Sequence, residues 1–382
     1  MKSCAQSIKK REVKLHVFNP EHDIALAYDK PHIMVPHVAQ ELRMALGWLP
    51  AIWAEDGDCV LVDDIRFALK AVAPFGNIAA DVLFVGREDL SSLPIDTVEP
   101  WGWDRRIRAE FAESGIDERL LPSDAQLADI RMLSGREHTV GMLEKLRLGL
   151  ENVTCGEAFR CVDMNEVEEC IGRHPAVVVK APWSSSGRGI RYVNVECDEA
   201  KRAWILKMIE KQGYVMVEPR YNRMADFAAE FYAHDSGRVE FVGISVFHTQ
   251  NGKYTGNVIA DEEEKRFRLA RYVDTDLLDV IIGRIEGIMP ELLQGRYTGP
   301  FGVDMMAVAD MPSGRLKLHP CVEINLRRTM GHVALSLAEK DFEFASMMSI
   351  RHKVDYQLCI ERIEGKLAHP TNPVECCADA NP

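Results

Sequence analysis

Short apolar runs alternate with helical periodicity over the first third of the chain. Three of the runs are typical of strands buried on both faces: VKLHVFN (13–19), CVLVDD (59–64) and DVLFVG (81–86). Residues 37–49 and 104–115 carry the periodicity of amphipathic helices, and Gly115 is a typical helix stop. Strands that alternate with helices predict an α/β unit over residues 13–120.

The pattern changes after residue 176, where strand-like runs follow one another directly. Residues 121–150 are predicted to be helical with breaks and to bridge the two parts. The strand-like runs are AVVVKA, IRYVNV, YVMVEP, DFAAEFYAH, VEFVGISVFHT and KYTGNVI. A helix at 274–293 precedes a last strand pair at 301–325, and the remainder is predicted to be helical and then a polar tail. The second part is therefore predicted to be α+β.

Composition and charge exclude several classes of protein. The 382 residues are 47% apolar and 27% charged, which suits a soluble globular protein of two or three domains. The net charge of −13 disfavours general binding to nucleic acid or anionic membranes. No apolar run reaches the roughly 18 residues of a membrane span. Residues 1–12 are predicted to be a disordered leader rather than a secretory signal, because they contain no apolar core.

The ten cysteines include no Cys-x-x-Cys pair, so reduced thiols and a cytoplasmic location are expected. Redox activity is the alternative to ordinary reduced thiols for Cys376 and Cys377, which are adjacent in the tail. The histidines near the N-terminus show no zinc-ligand spacing. Cysteine and histidine chemistry therefore gives no functional assignment.

The stretch KAPWSSSGRGI (180–190) combines a lysine at the end of a strand with a loop rich in serine and glycine. It lacks the Gly-x-x-x-x-Gly-Lys pattern of a Walker A loop and the third glycine of a dinucleotide fingerprint. The residues that follow alternate like a strand, so the loop is predicted to join two strands and to lie over a ligand as a flap. An ordinary hairpin loop explains the stretch equally well when it is taken alone.

The segment FGVDMMAVADMPSGRLKLHPCVEINLRR (301–328) predicts a hairpin that turns at residues 313–314. A two-residue turn centred there would place Asp304 opposite Glu323, with Asn325 two residues further on the same face. Like charges that face each other destabilise a strand pair. The amide of Asn325 adds a third oxygen ligand to the two carboxylates. The arrangement indicates a hard divalent cation such as Mg²⁺.

Two other features bear on this hairpin. Pro320 lies inside the second strand, where proline indicates an edge or a bulge that would shift the register. A polar face turned to solvent is the alternative explanation for the two acids. Arg327 and Arg328 follow the strand directly and favour a ligand site, because guanidinium groups suit phosphate.

The order of these features resembles that of the ATP-grasp superfamily, which includes D-alanine–D-alanine ligase, biotin carboxylase and glutathione synthetase. The shared features are a strand lysine before a Ser/Gly flap, an apolar hinge ending in an acid, and then GVD…EIN.R. The similarity covers about residues 130–335 and, more loosely, the α/β part. It implies a Rossmann-like pre-ATP-grasp domain at 13–120, an ATP-grasp domain at 121–350 with subdomains at about 130–212 and 213–350, and a C-terminal helix and polar tail at 351–382.

The resemblance implies a nucleotide site. Lys180 would contact the phosphates and the adenine of ATP. The flap would cover the phosphates through five residues: Ser185, Ser186, Gly187, Arg188 and Gly189. The backbone of the hinge would meet the adenine edge at three residues: Met216, Val217 and Glu218. Asp226 would bind the ribose, or Glu218 would do so in its place.

The resemblance also implies a metal and phosphoryl-transfer site. The expected ligands of Mg²⁺, or of Mn²⁺ as an alternative, are Asp304, Glu323 and Asn325. Arg327 and Arg328 would be the catalytic residues that stabilise the transferring phosphoryl group or an acyl phosphate. One position departs from the family. Arg136 stands where the family usually has a lysine in the first subdomain, and arginine binds phosphate as a planar fork. Lys145 is the alternative residue for this role.

The activity that the resemblance implies is an ATP- and Mg²⁺-dependent ligase. ATP converts a small-molecule or peptide carboxylate into an acyl phosphate, which an amine or a similar nucleophile attacks. A small-molecule kinase and a nucleotide-binding protein without turnover are the alternatives, and homo-oligomer formation stays open. Candidates for the substrate site are Asn19, Glu21, His22 and Asp23 after the first strand, and residues 249–257.

Overall fold

The computed structural model describes residues 11–184, 189–194, 196–250, 253–310, 313–340 and 344–363, without the side chains of residues 250 and 253. Strands in these ranges form three sheets: one parallel and two antiparallel. The predicted fold class, an α/β unit followed by α+β parts, is confirmed. The domain boundaries inferred from sequence stay predictions. Within the described ranges, every helix is too short or too polar to cross a bilayer.

The parallel sheet is built from the N-terminal part of the chain. Its strands are β1 (Lys14–Val17), β2 (Cys59–Leu61), β3 (Leu83–Val85) and β4 (Thr97–Pro100), in the order β3-β2-β1-β4. Its helices are α1 (His22–Tyr28), α2 (His37–Leu46), α3 (Ile65–Val72) and α4 (Arg105–Glu113). Ile107 and Phe111 of α4 cover one face of the sheet, and α2 with the 3₁₀ turn Leu49–Ile52 covers the other. Burial on both faces explains the continuous apolar runs, and the strand order is Rossmann-like.

A four-stranded antiparallel sheet follows after two helices. The predicted helical region with breaks contains α5 (Asp124–Leu133) and α6 (His138–Arg147). The next elements are β5 (Phe159–Cys161), α7 (Met164–Arg173), β6 (Ala176–Lys180), β7 (Ile190–Asn194), α8 (Glu199–Gln212) and β8 (Val215–Pro219). The sheet has the order β5-β8-β6-β7, and α7 and α8 pack on it. The predicted flap therefore begins at the end of β6 and leads into β7.

A seven-stranded antiparallel sheet and three helices are built from the remaining described residues. These elements are β9 (Arg223–Ala233), β10 (Val239–Gln250), β11 (Lys253–Ile259), α9 (Glu262–Leu269), α10 (Thr275–Leu293), β12 (Gly299–Ala309), β13 (Leu316–Asn325), α11 (Met330–Ala338), β14 (Ser346–His352) and β15 (Tyr356–Arg362). The strand order is β13-β12-β9-β10-β11-β14-β15. The largest apolar core joins this sheet to α5, α6 and α10, with the rings of Phe231 and Phe301 stacked at 5.2 Å.

The C-terminal helix predicted for residues 351–382 is wrong over 351–362, where the chain forms the end of β14 and all of β15. The two strands pair in an antiparallel hairpin and extend the sheet beyond β11. Met348 and Leu358 are buried against the same core as α2 and α11. Pairing with an existing sheet edge decides this conformation, and a local sequence pattern does not contain that information. Residues 364–382, with Cys376 and Cys377, lie outside the described residues.

A buried ion network holds the loop after β1 to helices α2 and α4. Glu21, Arg43 and Glu110 are each less than 9% exposed. Arg43 Nη1 donates to Glu21 Oε1 at 2.9 Å, and Arg43 Nη2 forms an ion pair with Glu110. Arg106 adds a second cation that contacts Glu21. Burial opposes the charge of the Arg43 guanidinium, but the neighbouring carboxylates outweigh it and raise its pKa.

Replacing Arg43 by methionine should destabilise the fold strongly. The substitution leaves Glu21 and Glu110 buried next to each other with less compensating charge, which costs on the order of 3–5 kcal/mol for a buried pair. Urea unfolding of Arg43→Met measures this loss. Arg173→Met is the matched control, because Arg173 is half-exposed and pairs with Glu169 one helical turn away on α7. Equal, small losses in both variants would contradict a structural role for the network.

Candidate functional site

The hairpin of β12 and β13 places two carboxylates opposite each other. Asp304 pairs with Glu323 in the antiparallel ladder, and Gly302 pairs with Asn325. The predicted opposition of the two acids is therefore observed. Their role as metal ligands stays a prediction.

The opposition arises through a bulge rather than through a two-residue turn. Near the turn the numbers of paired residues sum to 625, as in Ala309 and Leu316, whereas at the acid pair they sum to 627. Three residues of β13, 320–322, lie opposite Met305 alone and make up the difference. Pro320 belongs to this irregularity, as expected of a residue that cannot donate to the ladder. The ladder near the turn is therefore centred one residue earlier than predicted, and the bulge compensates for this shift.

Burial and like charge govern the electrostatics of the acid pair. Burial, with the charge of Glu323, raises the pKa of Asp304 to about 7. On the neighbouring strand β9, Glu230 lies opposite Gly302, and burial together with Asp304 raises its pKa to about 8. Glu230 contacts His332, whose pKa burial lowers to about 3. Glu230 was not predicted from sequence, although an acid inside the otherwise apolar stretch FAAEFYA (227–233) was a signal for it.

These residues fit a hard divalent cation by the chemistry of their donors. Two carboxylates and an amide oxygen are ligands that Mg²⁺ prefers, and a cation would relieve the repulsion that raises the pKa of Asp304. Among the described residues, no group of three or more His, Cys, Asp or Glu side chains is arranged to hold a metal. The set of Asp304, Glu323 and Asn325 contains only two such residues, so it depends on the amide and on further ligands.

Lys180 links the four-stranded sheet to this hairpin. It ends β6 and is buried, with its Nζ 2.6 Å from Glu218 Oε2. The same Nζ donates to the carbonyl oxygen of Val322 at 3.4 Å, one residue before Glu323. The predicted phosphate-binding lysine therefore lies directly beside the predicted metal ligands.

The three predicted hinge residues differ in how much of their backbone is free. Met216 and Val217 are fully buried and pair with both β5 and β6. Glu218 pairs with β6 alone in this sheet, because the pairing with β5 ends at Val217. Of the three, Glu218 is the residue best placed to present backbone to a ligand.

Arg136 connects the start of the flap to the acid pair. It lies between α5 and α6 and is buried. Its Nη1 donates to the carbonyl oxygen of Ala181 at 2.6 Å, and its Nη2 contacts Glu323 Oε1 at 2.5 Å. The alternative residue, Lys145, is half-exposed on α6 and pairs with Glu291. The structure therefore places Arg136, and not Lys145, beside the predicted metal ligands.

The flap itself is described only at its ends. Ser185, Ser186, Gly187 and Arg188 lie outside the described residues. Gly189 accepts a hydrogen bond from the Ala181 N–H at 2.8 Å through its carbonyl oxygen. A Cβ atom at Gly189 would lie 2.0 Å from Ser184 Oγ, so this close approach requires glycine.

Asp226 belongs to the same sheet as the acid pair. It lies on β9 opposite Met306, two residues along β12 from Asp304. Its carboxylate accepts a hydrogen bond from Thr249 Oγ1 at 2.8 Å, and burial raises its pKa. This position is compatible with the predicted ribose contact, which stays a prediction. Thr249 belongs to the segment 249–257 that was a candidate for substrate binding.

The two predicted catalytic arginines point to different parts of the molecule. Arg327 Nη2 donates to Asn325 Oδ1 at 3.1 Å and to Asp23 Oδ2 at 3.0 Å. Arg328 instead lies over the ring of Trp53 at 4.6 Å, and burial lowers its pKa to about 10. The structure therefore brings Arg327 to the site and directs Arg328 into the N-terminal part.

The end of β1 meets the acid-pair hairpin. A small cleft there is lined by residues from three parts of the chain: His22, Asp23, Ser184, Glu323, Asn325 and Arg327. Two of the predicted substrate candidates, His22 and Asp23, thus adjoin the predicted metal ligands. Asn19 lies just behind them and donates to Asp104 Oδ2 at 3.3 Å.

Comparison with solved structures gives 465 matching chains. An N5-carboxyaminoimidazole synthetase from Staphylococcus aureus complexed with ADP is 11% identical at a TM-score of 0.44, over 90% of this chain and 83% of that one. The biotin carboxylase domain of the Hydrogenobacter thermophilus 2-oxoglutarate carboxylase, complexed with MgADP, ADP and bicarbonate, is 13% identical at a TM-score of 0.48, over 89% and 75%. A biotin carboxylase from Campylobacter jejuni is 12% identical at a TM-score of 0.48, over 89% and 76%.

No protein-family model matches the sequence, and no curated protein is significantly similar to it. At identities of 11–13% and TM-scores of 0.44–0.48, the three solved structures assign neither an activity nor a substrate to this chain. Its function therefore has to be argued from its own residues.

Replacing Asp304 by asparagine should stabilise the protein at pH 8 more than at pH 5. The pKa of Asp304 is raised from 3.8 to about 7, so the wild type loses stability as the pH rises from 3.8 to about 7, where the unfolded chain ionises and the native carboxyl does not. Asparagine cannot ionise, and Asp304→Asn should gain roughly 1–3 kcal/mol relative to wild type between the two pH values. Urea unfolding in the presence of EDTA measures the difference.

The control for this experiment is Glu210→Gln, which changes an exposed carboxyl on α8. It should behave like wild type at both pH values. A gain for Asp304→Asn that is the same at pH 5 and pH 8 would show that Asp304 does not carry the expected electrostatic cost.

Proposed function

We propose that this chain is an ATP- and Mg²⁺-dependent ligase of the ATP-grasp kind. It phosphorylates a carboxylate with ATP and joins the resulting acyl phosphate to an amine or a similar nucleophile, releasing ADP and phosphate. The observation that carries the proposal is the contact of Lys180 with Glu218 on one side and with the Val322 carbonyl oxygen on the other. It brings the phosphate-binding cation next to the opposed acids.

The acid-pair hairpin supplies the metal side of the proposed site. Asp304, Glu323 and Asn325 would hold Mg²⁺, which when bound neutralises charge on the phosphates and on the phosphoryl group in transfer. Arg327 is held between Asn325 and Asp23, so its guanidinium is oriented toward the same cleft. An oriented cation there stabilises negative charge as it develops.

The nucleotide side of the proposed site rests on Lys180, Arg136 and the hinge. Lys180 and Arg136 are both buried and both reach β13, so they offer fixed positive charge beside the acid pair. Glu218 and the Val322 carbonyl oxygen each accept one ammonium proton of Lys180, which leaves the third for a ligand. Phosphoryl transfer depends mainly on such positioning and charge stabilisation.

The described thiols do not suggest a covalent enzyme intermediate. Burial raises the pKa of Cys155 to about 12 and also raises the pKa of Cys59 and Cys170. A thiol with a raised pKa is a poor nucleophile at neutral pH. Direct transfer through an acyl phosphate needs no such nucleophile and is consistent with these residues.

Replacing Lys180 by alanine should weaken ATP binding by about 10-fold or more, because a charge-assisted hydrogen bond to phosphate is lost. Isothermal titration calorimetry with ATP, with and without Mg²⁺, measures the dissociation constant. Lys145→Ala is the matched control and should bind like wild type, because Lys145 is half-exposed and pairs with Glu291. An unchanged dissociation constant for Lys180→Ala would remove this lysine from the nucleotide site.

Replacing Glu323 by glutamine should lower ADP formation by about 100-fold or more, because one charged metal ligand is lost. The amide keeps an oxygen that can accept from Arg136, so the fold should be retained. ADP release is measured with a panel of carboxylates and amines, and hydroxylamine traps any acyl phosphate as a hydroxamate. Glu210→Gln on α8 is the control and should turn over like wild type.

The same assay separates the alternative functions. Turnover of Glu323→Gln at the wild-type rate would show that the metal assignment is wrong. A phosphorylated hydroxyl product without hydroxamate would identify a small-molecule kinase. ATP binding without ADP formation under any condition would identify a nucleotide-binding protein without turnover.

A further inference from the structure

We propose that His22, oriented by Asp104, accepts the proton of the nucleophilic co-substrate. The inference rests on the proposed ligase function and adds to it the group that acts in the second half-reaction. It is carried by a buried histidine that lines the cleft and has one hydrogen-bonded ring nitrogen and one ring nitrogen without a partner in the described residues.

Asp104 fixes one side of the imidazole ring. Its Oδ1 accepts from the backbone N–H groups of Arg106 and Ile107 and caps helix α4. Its Oδ2 lies 3.0 Å from His22 Nδ1 and also accepts from Asn19. A carboxylate at this distance accepts the Nδ1 proton, so Nε2 of the neutral ring carries the lone pair.

The other side of the ring has no partner within the described part of the chain. His22 is 1% exposed, and its Nε2 is buried without a hydrogen bond. A buried acceptor without a partner is unfavourable, so this atom is suited to a ligand N–H or O–H. A Cβ atom at Gly102 would lie 2.6 Å from the ring, which shows how closely the backbone holds the ring in place.

The position of His22 relative to the acid pair supports a role in the reaction. His22 lines the same cleft as Glu323 and Asn325. Its two neighbours are both anchored, since Glu21 is bound to Arg43 and Asp23 is bound to Arg327. The ring is therefore held at the junction of the parallel unit with the β12–β13 hairpin, and it does not lie on a free loop.

The proposed step exchanges a C–O bond to phosphate for a C–N bond. The nitrogen of a neutral amine attacks the carbonyl carbon of the acyl phosphate and forms a C–N bond. The bond from that carbon to the phosphate oxygen breaks, and phosphate leaves with the electron pair. His22 Nε2 takes the proton that the nitrogen releases, and Asp104 stabilises the imidazolium that forms. The co-substrate class is therefore a primary or secondary amine that bears a transferable N–H.

The tautomer of His22 provides a test that does not depend on turnover. Long-range ¹H–¹⁵N NMR of the full-length protein should show His22 with a protonated Nδ1 and a bare Nε2, and His22→Gln identifies its signals. Asp104→Asn keeps an oxygen that can cap α4 but turns an amide NH₂ toward Nδ1, so it should shift the ring to the Nε2–H tautomer. Glu113→Gln is the control, because it changes an exposed pair with His32.

Two NMR results would overturn the proposal. One is a wild-type His22 with its proton on Nε2, because that nitrogen could not accept another. The other is an Asp104→Asn variant whose His22 tautomer is unchanged, because Asp104 would then not orient the ring. Glu113→Gln should leave the His22 signals where they are in wild type.

A kinetic comparison tests the chemical step itself. Ammonia and glycinamide serve as amine probes with the carboxylate that hydroxylamine trapping identifies. His22→Gln should lower the amine-dependent rate by about 100-fold, and by at least 10-fold more than the hydroxylamine-dependent rate. Hydroxylamine is weakly basic and strongly nucleophilic, so it depends less on a protein base. Asp104→Asn should show the same selective loss, and Glu113→Gln should show none.

The outcomes separate this proposal from the ligase function. An equal loss of both rates would overturn the base role and make His22 a structural residue, while the ligase function stands. An amine-dependent rate unchanged in His22→Gln would do the same. The absence of hydroxamate in wild type with every carboxylate would overturn the ligase function and this role with it.

Discussion

Two carboxylates of like charge face each other on β12 and β13, and the candidate site is arranged around that unfavourable pair. Asp304 and Glu323 repel each other in a partly buried setting, which raises the pKa of Asp304. The cations that surround them come from separate parts of the chain: Lys180 from the four-stranded sheet, Arg136 from the connection between α5 and α6, and Arg327 from the residues after β13. Cations from three separate segments of the chain therefore converge on the acid pair.

Each of these cations also has a carboxylate partner of its own. Lys180 is paired with Glu218, Arg327 with Asp23, and Arg136 with Glu323 itself. A phosphate-bearing ligand and a divalent cation would exchange these internal partners for new ones, so binding at this site rearranges existing ion pairs. Side chains that are already paired keep their positions before a ligand binds. Catalysis by orientation requires such fixed positions. The proposed role of His22 follows the same logic, since Asp104 holds one nitrogen and leaves the other for substrate.

Two differences between sequence and structure have different physical causes. The acid pair was predicted from a two-residue turn, but the ladder near the turn is centred one residue earlier, and a bulge at residues 320–322 restores the opposition. This bulge contains Pro320, a local residue that cannot donate to the ladder. The C-terminal strands β14 and β15 were predicted to be helical, and they are strands because an existing sheet edge at β11 accepts them. There the neighbouring strand, and not the local residues, decides the conformation.

The local features of this protein follow from its sequence alone. They are the alternation of the parallel unit, the strand lysine before the flap, and the opposed acids on one hairpin, because strand periodicity and short spacings fix such relations. Which distant residues meet depends instead on tertiary packing. Arg136 and Glu323 are 187 residues apart, and Arg327 and Asp23 are 304 residues apart. Tertiary packing also directs Arg328 away from the site and buries Glu230 beside Asp304. No local pattern encodes such contacts, since they depend on how three sheets pack together around their common cores.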